Sequence, residues 1–301
     1  MTRAGFVAVL GRPNVGKSTL VNQLVGVKVT ITARTPNTTR QAVRGVLTEG
    51  EVQVVLVDTP GLHRPRTALG GRLNESARAA AEDVDAILVV LDGAAPLGAG
   101  DRQVLEGLVA RVRAAGAPAP IVAVNKVDRT ERAGVAEHLA GAADLVAAAA
   151  AAAGRPEVVS RVEYFPLSAR TGRGVDALRD HLVALVPEGP FFFPDEEVSD
   201  VSEERWVAEL VREQLLRRTR DELPHSIHCR VVEFEWPHVV VEILVERESQ
   251  KGIVIGAGGQ VLKEVGTAAR RELPEGTYLE LRVRVEPGWQ RRAEILDRLG
   301  Y

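Results

Sequence analysis

The sequence predicts an α/β domain with a mainly parallel sheet and flanking helices, followed by a smaller α+β domain, on three observations. Up to about residue 188, apolar strand-like runs alternate with segments of helical periodicity, the pattern of right-handed βαβ crossovers. A glycine-rich turn over residues 11–18 separates the apolar run 6–10 from a helical stretch beginning at Thr19. Beyond a proline-rich interruption at 187–194 the order becomes helix, strand, strand, helix, glycine turn, helix, strand. At 301 residues the chain is long enough for two cores.

The turn after the first strand reads GRPNVGKS, a phosphate-binding loop in its required strand–turn–helix context. Gly11 and Gly16 let the backbone of Arg12, Pro13, Asn14 and Val15 curl, so that successive N–H groups point inward at phosphate oxygens. Lys17 reaches the β- and γ-phosphates, the Ser18 hydroxyl can ligate Mg²⁺, and Thr19 continues a helix whose N-terminus favours anions.

The base is chosen further on. Asn125, Lys126, Val127 and Asp128 end the apolar strand 121–124. A carboxylate at Asp128 accepts from the N1–H and N2–H₂ edge of guanine, a donor pair adenine lacks, which disfavours an ATPase. Asn125 is expected to tie this loop to the phosphate loop, with the Lys126 stem along the base face. Ser168, Ala169 and Arg170, after another strand-like run, are expected to cover the guanine carbonyl with backbone N–H.

Between these loops, Asp58, Thr59, Pro60 and Gly61 close the strand 52–57. An Asp at that strand end can hold Mg²⁺ through water, and the Gly61 N–H can swing to a γ-phosphate and leave after hydrolysis. The polar stretch containing Thr38, Thr39 and Arg40 offers a hydroxyl to complete the Mg²⁺ shell. Leu62 stands where Ras-like switches place a water-orienting glutamine, so slow intrinsic hydrolysis is expected, with rate added by a cation or a partner.

Composition narrows the setting. One cysteine, Cys229, excludes an internal disulfide framework and suits a reducing cytosol. Met1 leads into the first strand, so no signal peptide is expected. No apolar run is expected to span a bilayer, and the alanine tract 147–153 reads as a helical embellishment. The stretch 187–194 holds three prolines and three phenylalanines, an extended connector that docks on something. We therefore read 1–188 as the first domain, 189–204 as linker and 205–301 as the second domain.

In the second domain, 203–220 has helical spacing, 227–235 and 239–247 read as strands, and 278–285 is the last strand. Ile255, Gly256, Ala257, Gly258 and Gly259 form a GxxG turn between two short helices, where no side chain bars a sugar–phosphate backbone. The order is similar to a type II KH domain, a single-stranded RNA module. Charge does not favour that reading simply. From residue 191 on there are 16 basic and 22 acidic residues, six of the acids lying within 195–204. Lys251, Lys263, Arg270 and Arg271, with Arg247, nevertheless gather around the turn, and Trp289 is either a stacking platform for a base or a core aromatic.

The five nucleotide elements occur in the order of translation-factor-class GTPases. GRPNVGKS, the double threonine of NTTRQ, DTPGL, and VERESQKGIVIGAGGQVLKEVG in the second domain resemble the Era family over nearly the whole chain. The resemblance implies a P-loop GTPase domain followed by a type II KH domain. It also implies Thr39 as the switch threonine on Mg²⁺, beside Ser18 and Asp58, and Asn14 near a bound K⁺. The implied partners are GTP and GDP, the 3′ end of 16S ribosomal RNA, and the 30S subunit. A cytoplasmic monomer, peripherally associated with the inner face of the membrane, is implied as well. One departure is Ala257-Gly258, where family members often carry a lysine. The competing expectations are a second domain that binds protein or membrane, and an RNA scaffold whose nucleotide site does not turn over.

Overall fold

The structure, a computed structural model, describes all residues except 34, 36, 64, 66, 113–117 and 220–222, and the backbone alone at 224 and 225. It divides into two compact units: residues 1–30, 39–64 and 72–200 form the first, and residues 31–38, 65–71 and 201–301 the second.

The first unit is built on a six-stranded sheet of β1 (Arg3–Leu10), β2 (Val43–Glu49), β3 (Val52–Asp58), β4 (Ala86–Asp92), β5 (Ala119–Asn125) and β6 (Glu163–Pro166). Their order is β2-β3-β1-β4-β5-β6, with β2 antiparallel to β3 and every other pair parallel. The central strands are near-continuous aliphatic runs because both faces are covered. Helices α1 (Lys17–Val25) and α5 (Val175–Leu185) close one face over Leu20, Leu24, Leu178 and Leu182. Helices α3 (Ala99–Arg111) and α4 (Arg132–Ala152) close the other over Leu105, Leu108, Val146 and Ala150. Helix α2 (Ala68–Ala79) lies between β3 and β4 in the chain.

The alanine tract completes α4. Contrary to expectation, α4 is long and apolar enough to cross a membrane by length and composition, the one such helix among the described residues. Its Ala142, Val146, Ala149 and Ala150 repeat at helical spacing and are buried in the core beneath it, the pattern of a helix docked on a sheet. The stretch after residue 188 docks as its phenylalanines suggested. Gln53, fully buried on β3, accepts from the N–H groups of Phe192 (2.9 Å) and Phe193 (3.1 Å) and donates to the Phe193 carbonyl (2.9 Å). The Phe192 ring lies 4.5 Å from that of Phe6.

The second unit holds α6 (Glu203–Arg218), the short α7 (Leu223–Ser226), β7 (His228–Glu235), β8 (His238–Val245), α8 (Glu248–Ile255), α9 (Gln260–Arg270), β9 (Tyr278–Val285) and α10 (Ala293–Arg298). Strands β7 and β8 are antiparallel, β8 and β9 parallel, and alternate residues such as Val239, Val241 and Ile243 pack under α6 and α9. The Ser202 hydroxyl accepts from the Arg205 N–H and caps α6. The expected helix ended at Arg220, which lies outside the described residues, whereas α6 ends at Arg218. The second strand stops two residues short of expectation. Gln250 Oε1 takes the N–H of Glu246 (2.8 Å) and Arg247 (3.1 Å), which turns the chain into α8.

Trp289 is fully buried and donates from Nε1 to the Ser226 carbonyl at 3.0 Å. That corrects the stacking-platform expectation: with its ring against His228 and Tyr301, no face is open to a base.

Candidate functional site: a phosphate loop, a base-reading loop and a glycine turn

Parallel pairing brings the C-terminal ends of β1 and β3 side by side, and those of β4 and β5, so the loops that follow them converge on one edge of the sheet. Gly16 has φ 101°, and a Cβ there would sit 2.3 Å from Asn125 Nδ2. The loop therefore needs glycine both for its dihedral and for the close approach of the neighbouring loop. Lys17 opens α1 with Nζ donating to the carbonyls of Gly11 (3.2 Å) and Arg12 (3.1 Å). Burial lowers its pKa to about 8, against the pull of Asp58.

The Asp58 carboxylate is fully buried at the end of β3. One oxygen accepts from Ser18 (2.7 Å), Thr39 (2.9 Å) and Thr30 (3.1 Å), and the hydroxyls of Ser18 and Thr39 are 2.9 Å apart. The other oxygen, Oδ1, is buried without a hydrogen-bond partner. Burial drives the Asp58 pKa up, while Lys17 and the three hydroxyls pull it down. A buried carboxylate with an open oxygen beside two hydroxyls is the hard-oxygen set that fits Mg²⁺. Thr30 escaped the sequence reading, because a lone threonine in a polar loop carries no spacing signal.

Beyond Asp58, Thr59 donates its hydroxyl to the Val9 carbonyl at 2.7 Å, and Pro60 leads into Gly61. A Cβ on Gly61 would lie 2.6 Å from the Pro13 nitrogen, so only glycine lets this turn close on the phosphate loop. The Leu62 N–H donates to the Gly11 carbonyl at 3.1 Å, while its side chain packs on the core under α3. An apolar residue here is thus held as packing and offers no group to orient water.

At the other end of the site, Asn125 Nδ2 donates to the Val15 carbonyl at 2.8 Å. Lys126 donates from Nζ to the Asn14 carbonyl (2.6 Å) and pairs with Asp92 (2.5 Å). Asp92 was missed in the sequence, although it ends an apolar strand just as Asp58 does. Asp101 was missed as well; it holds Arg12 at 2.7 Å. Val127 is buried. Asp128 accepts from the Ser168 hydroxyl (2.7 Å) and Arg170 Nη2 (2.8 Å). The Ser168 bond leads in holding its pKa below the usual carboxylate range, so it stays ionised. The Ala169 N–H donates to Asn125 Oδ1 at 2.9 Å. The segment 168–170 clamps the base-reading loop.

In the second unit, α8 runs from Glu248 to Ile255 and α9 starts at Gln260, with Gly256, Gly258 and Gly259 all at positive φ between them. A Cβ on Gly256 would clash with Val261 at 2.5 Å, whereas one on Gly258 would meet nothing within 4 Å. The first glycine packs the two helices together, and the later ones leave open space. Ala257, Lys263, Arg270 and Arg271 are exposed, and Ile255 and Lys251 are half-buried. Among the described residues Arg247, Lys251, Lys263 and Arg271 form no ion pair. On the β-sheet, by contrast, Arg230, Arg282 and Arg284 are matched to Glu242, Glu233, Glu280 and Glu286. The even charge balance of this unit thus hides basic side chains on α8 and α9 and at their ends that no acid pairs.

Comparison with known proteins agrees with this geometry. A family model described as 50S ribosome-binding GTPase matches residues 6–126, and a KH-domain model matches residues 222–290. The molecule is a P-loop GTPase carrying a KH domain. The GTPase Era of Mycobacterium tuberculosis (strain ATCC 25618 / H37Rv) is 45% identical over 309 residues, covering 99% of this chain and 98% of its own. The GTPase Era of Mycobacterium sp. (strain KMS) is 45% identical over 312 residues, covering 99% of both. A solved structure of Era in complex with MgGDPNP and nucleotides 1506–1542 of 16S ribosomal RNA superposes with a TM-score of 0.87. It is 35% identical and covers 100% of this chain and 99% of that one. A single-residue variant of Aquifex aeolicus Era, solved bound to GDP.AlF4-, gives a TM-score of 0.86 at 35% identity, with the same coverage. The chain belongs to the Era family of GTPases.

Proposed function

We propose that this protein hydrolyses GTP in its first domain, residues 1–188, and binds the 3′ end of 16S ribosomal RNA with its KH domain, residues 205–301, to assist 30S subunit maturation. The observation that carries the nucleotide half is the pairing of an ionised Asp128 with an Asn125 fixed to the phosphate loop. The RNA half rests on the open glycine turn between α8 and α9, on the free lysines and arginines of those helices and their ends, and on the resemblance to Era solved with a 16S fragment.

The reaction is phosphoryl transfer from GTP to water. Lys17 and the α1 N-terminus balance charge on the β- and γ-phosphates, and the Gly61 N–H meets the γ-phosphate. Ser18, Thr39 and Asp58 would hold Mg²⁺, which supplies charge neutralisation across the phosphates when bound. Asn14, exposed in the phosphate loop at φ 64°, is our candidate for a K⁺ ligand, a role resting on the family likeness. With Leu62 packed on the core, intrinsic turnover is slow and a cation or partner adds rate. We read the protein as a cytoplasmic monomer; peripheral membrane association rests on the likeness alone.

Filter binding of a short 3′-terminal 16S fragment, with GDP and with a non-hydrolysable GTP analogue, tests both halves. RNA retention that survives Gly256→Asp with Gly259→Asp would move the KH domain to a different ligand. Phosphate release with excess GTP, Mg²⁺ and K⁺ separates an enzyme from a nucleotide-stabilised scaffold.

A further inference from the structure

Helix α2 buries a single polar side chain, and that side chain is spent on the turn that follows β3. Asn74 is 8% exposed, beside Leu73 and Ala77, which are buried too. Its carboxamide closes on the backbone of one residue. Oδ1 accepts from the His63 N–H at 3.3 Å, and Nδ2 donates to the His63 carbonyl at 2.7 Å. The His63 ring extends this chain of bonds, with Nδ1 2.9 Å from the Gly61 carbonyl. A carbonyl only accepts, so the ring carries a proton on Nδ1. Between them, the Leu62 N–H donates to the Gly11 carbonyl of the phosphate loop at 3.1 Å. Gly11, Gly61, Leu62, His63 and Asn74 all belong to the first unit.

Asparagine is a poorer helix former than leucine or alanine, and a buried amide costs free energy unless both its ends are bonded. An apolar residue would serve packing better. What Asn74 adds is a fixed course for residues 61–63, which lie in no helix or strand. The turn is held hard against the phosphate loop, since a Cβ on Gly61 would lie 2.6 Å from the Pro13 nitrogen. We propose that Asn74 is a positioning residue for Gly61: it holds the turn closed before nucleotide arrives, so that a γ-phosphate need not order it. This rests on the reading of the Gly61 N–H as the γ-phosphate contact. A diphosphate makes no such contact, so only the triphosphate draws on the brace.

The test measures affinities of the full chain for Mg²⁺–GDP and for a Mg²⁺-loaded non-hydrolysable GTP analogue, together with kcat and KM for GTP. Asn74→Leu keeps the volume and removes both bonds, which together shift the closed population by about tenfold. Analogue affinity should fall about five- to tenfold. GDP affinity should stay within about twofold, which also shows that the nucleotide fold is intact. The loss should appear in KM and little in kcat, because bound triphosphate closes the turn again. Asn74→Asp keeps an acceptor for the His63 N–H but sets a carboxylate against the His63 carbonyl, and should lose as much. In a Gly61→Ala background, where the turn cannot close on Pro13, Asn74→Leu should add nothing further. Equal losses for GDP and analogue would overturn the inference, as would an unimpaired Asn74→Leu protein or full additivity with Gly61→Ala. The assigned function would stand in each of those cases. A Gly61→Ala protein with an unchanged analogue-to-GDP ratio would overturn the Gly61 reading itself, and the inference with it.

Discussion

Asn125 and Val15, 110 positions apart in sequence, are joined by a 2.8 Å hydrogen bond from the Asn125 carboxamide to the Val15 carbonyl. The carboxamide oxygen takes the Ala169 N–H at 2.9 Å and the Lys126 N–H at 2.7 Å. One buried side chain thus sets the spacing between the loop that reads the base and the loop that cradles the phosphates. Replacing Asn125 by Ala strands a buried carbonyl and a buried N–H, at about 1–3 kcal/mol each. GDP and GTP share both ends of the pocket, so we expect their affinities to fall by the same factor of tenfold or more, read with fluorescent nucleotides. A loss confined to GTP would place Asn125 at the γ-phosphate and not between the loops.

Asp128 tests the choice of base. Its carboxylate is held ionised by Ser168 and Arg170, poised for a donor pair on the ligand. Asp128→Asn keeps the shape and turns one acceptor into a donor. The expected result is a drop in GTP affinity of about ten- to a hundredfold, from a charged hydrogen bond worth roughly 1.5–3 kcal/mol. XTP, which presents a carbonyl where guanine presents an amino group, should gain. Competition assays with GTP, XTP and ATP decide it, and an unchanged guanine preference would refute the contact.

Lys17 predicts a pH dependence with a definite sign. Its pKa in the free protein lies at about 8, below the ordinary 10.5, because burial disfavours the ammonium. A bound triphosphate stabilises the ammonium and raises that pKa. Nucleotide binding therefore takes up a proton above pH 8, and affinity falls as pH rises from there, by up to about tenfold per unit. Below pH 7 the lysine is charged in both states and contributes no slope. Calorimetry above pH 8 in buffers of different ionisation heat should show net proton uptake on nucleotide binding that grows with pH. No uptake would mean that the ammonium does not face the phosphates.

The nucleotide pocket is legible in sequence because each loop is a short local motif at the end of an apolar strand, and strand order brings the ends together. Gly16, Lys17, Asp58, Asn125 and Asp128 were all visible that way. Contacts made across the fold were not. Thr30 reaches Asp58 from a loop 28 residues away, and Asp101 reaches Arg12 from the first turn of α3. Trp289 stayed ambiguous because an aromatic near a chain end can be platform or core, and only burial by His228 and Tyr301 decides between them. The misleading net charge of the second domain has the same origin, since the Arg–Glu pairs on its sheet are set by strand register.

Ala257 offers the sharpest test of the RNA site. It is exposed at the tip of the glycine turn, with φ/ψ that any side chain tolerates, next to a Gly258 whose surroundings are open. A phosphate seated on this turn would lie within reach of a lysine at 257. Ala257→Lys should therefore strengthen binding of single-stranded RNA. It should also steepen the salt dependence by about 0.7 in the slope of log K against log[salt], the increment for one more phosphate contact on a single strand. Stability should be nearly unchanged, because no buried atom is touched. Filter binding at four or more salt concentrations reads both quantities. An increase in affinity without a change of slope would mean that the new cation acts at long range, and that the phosphates run elsewhere on the domain.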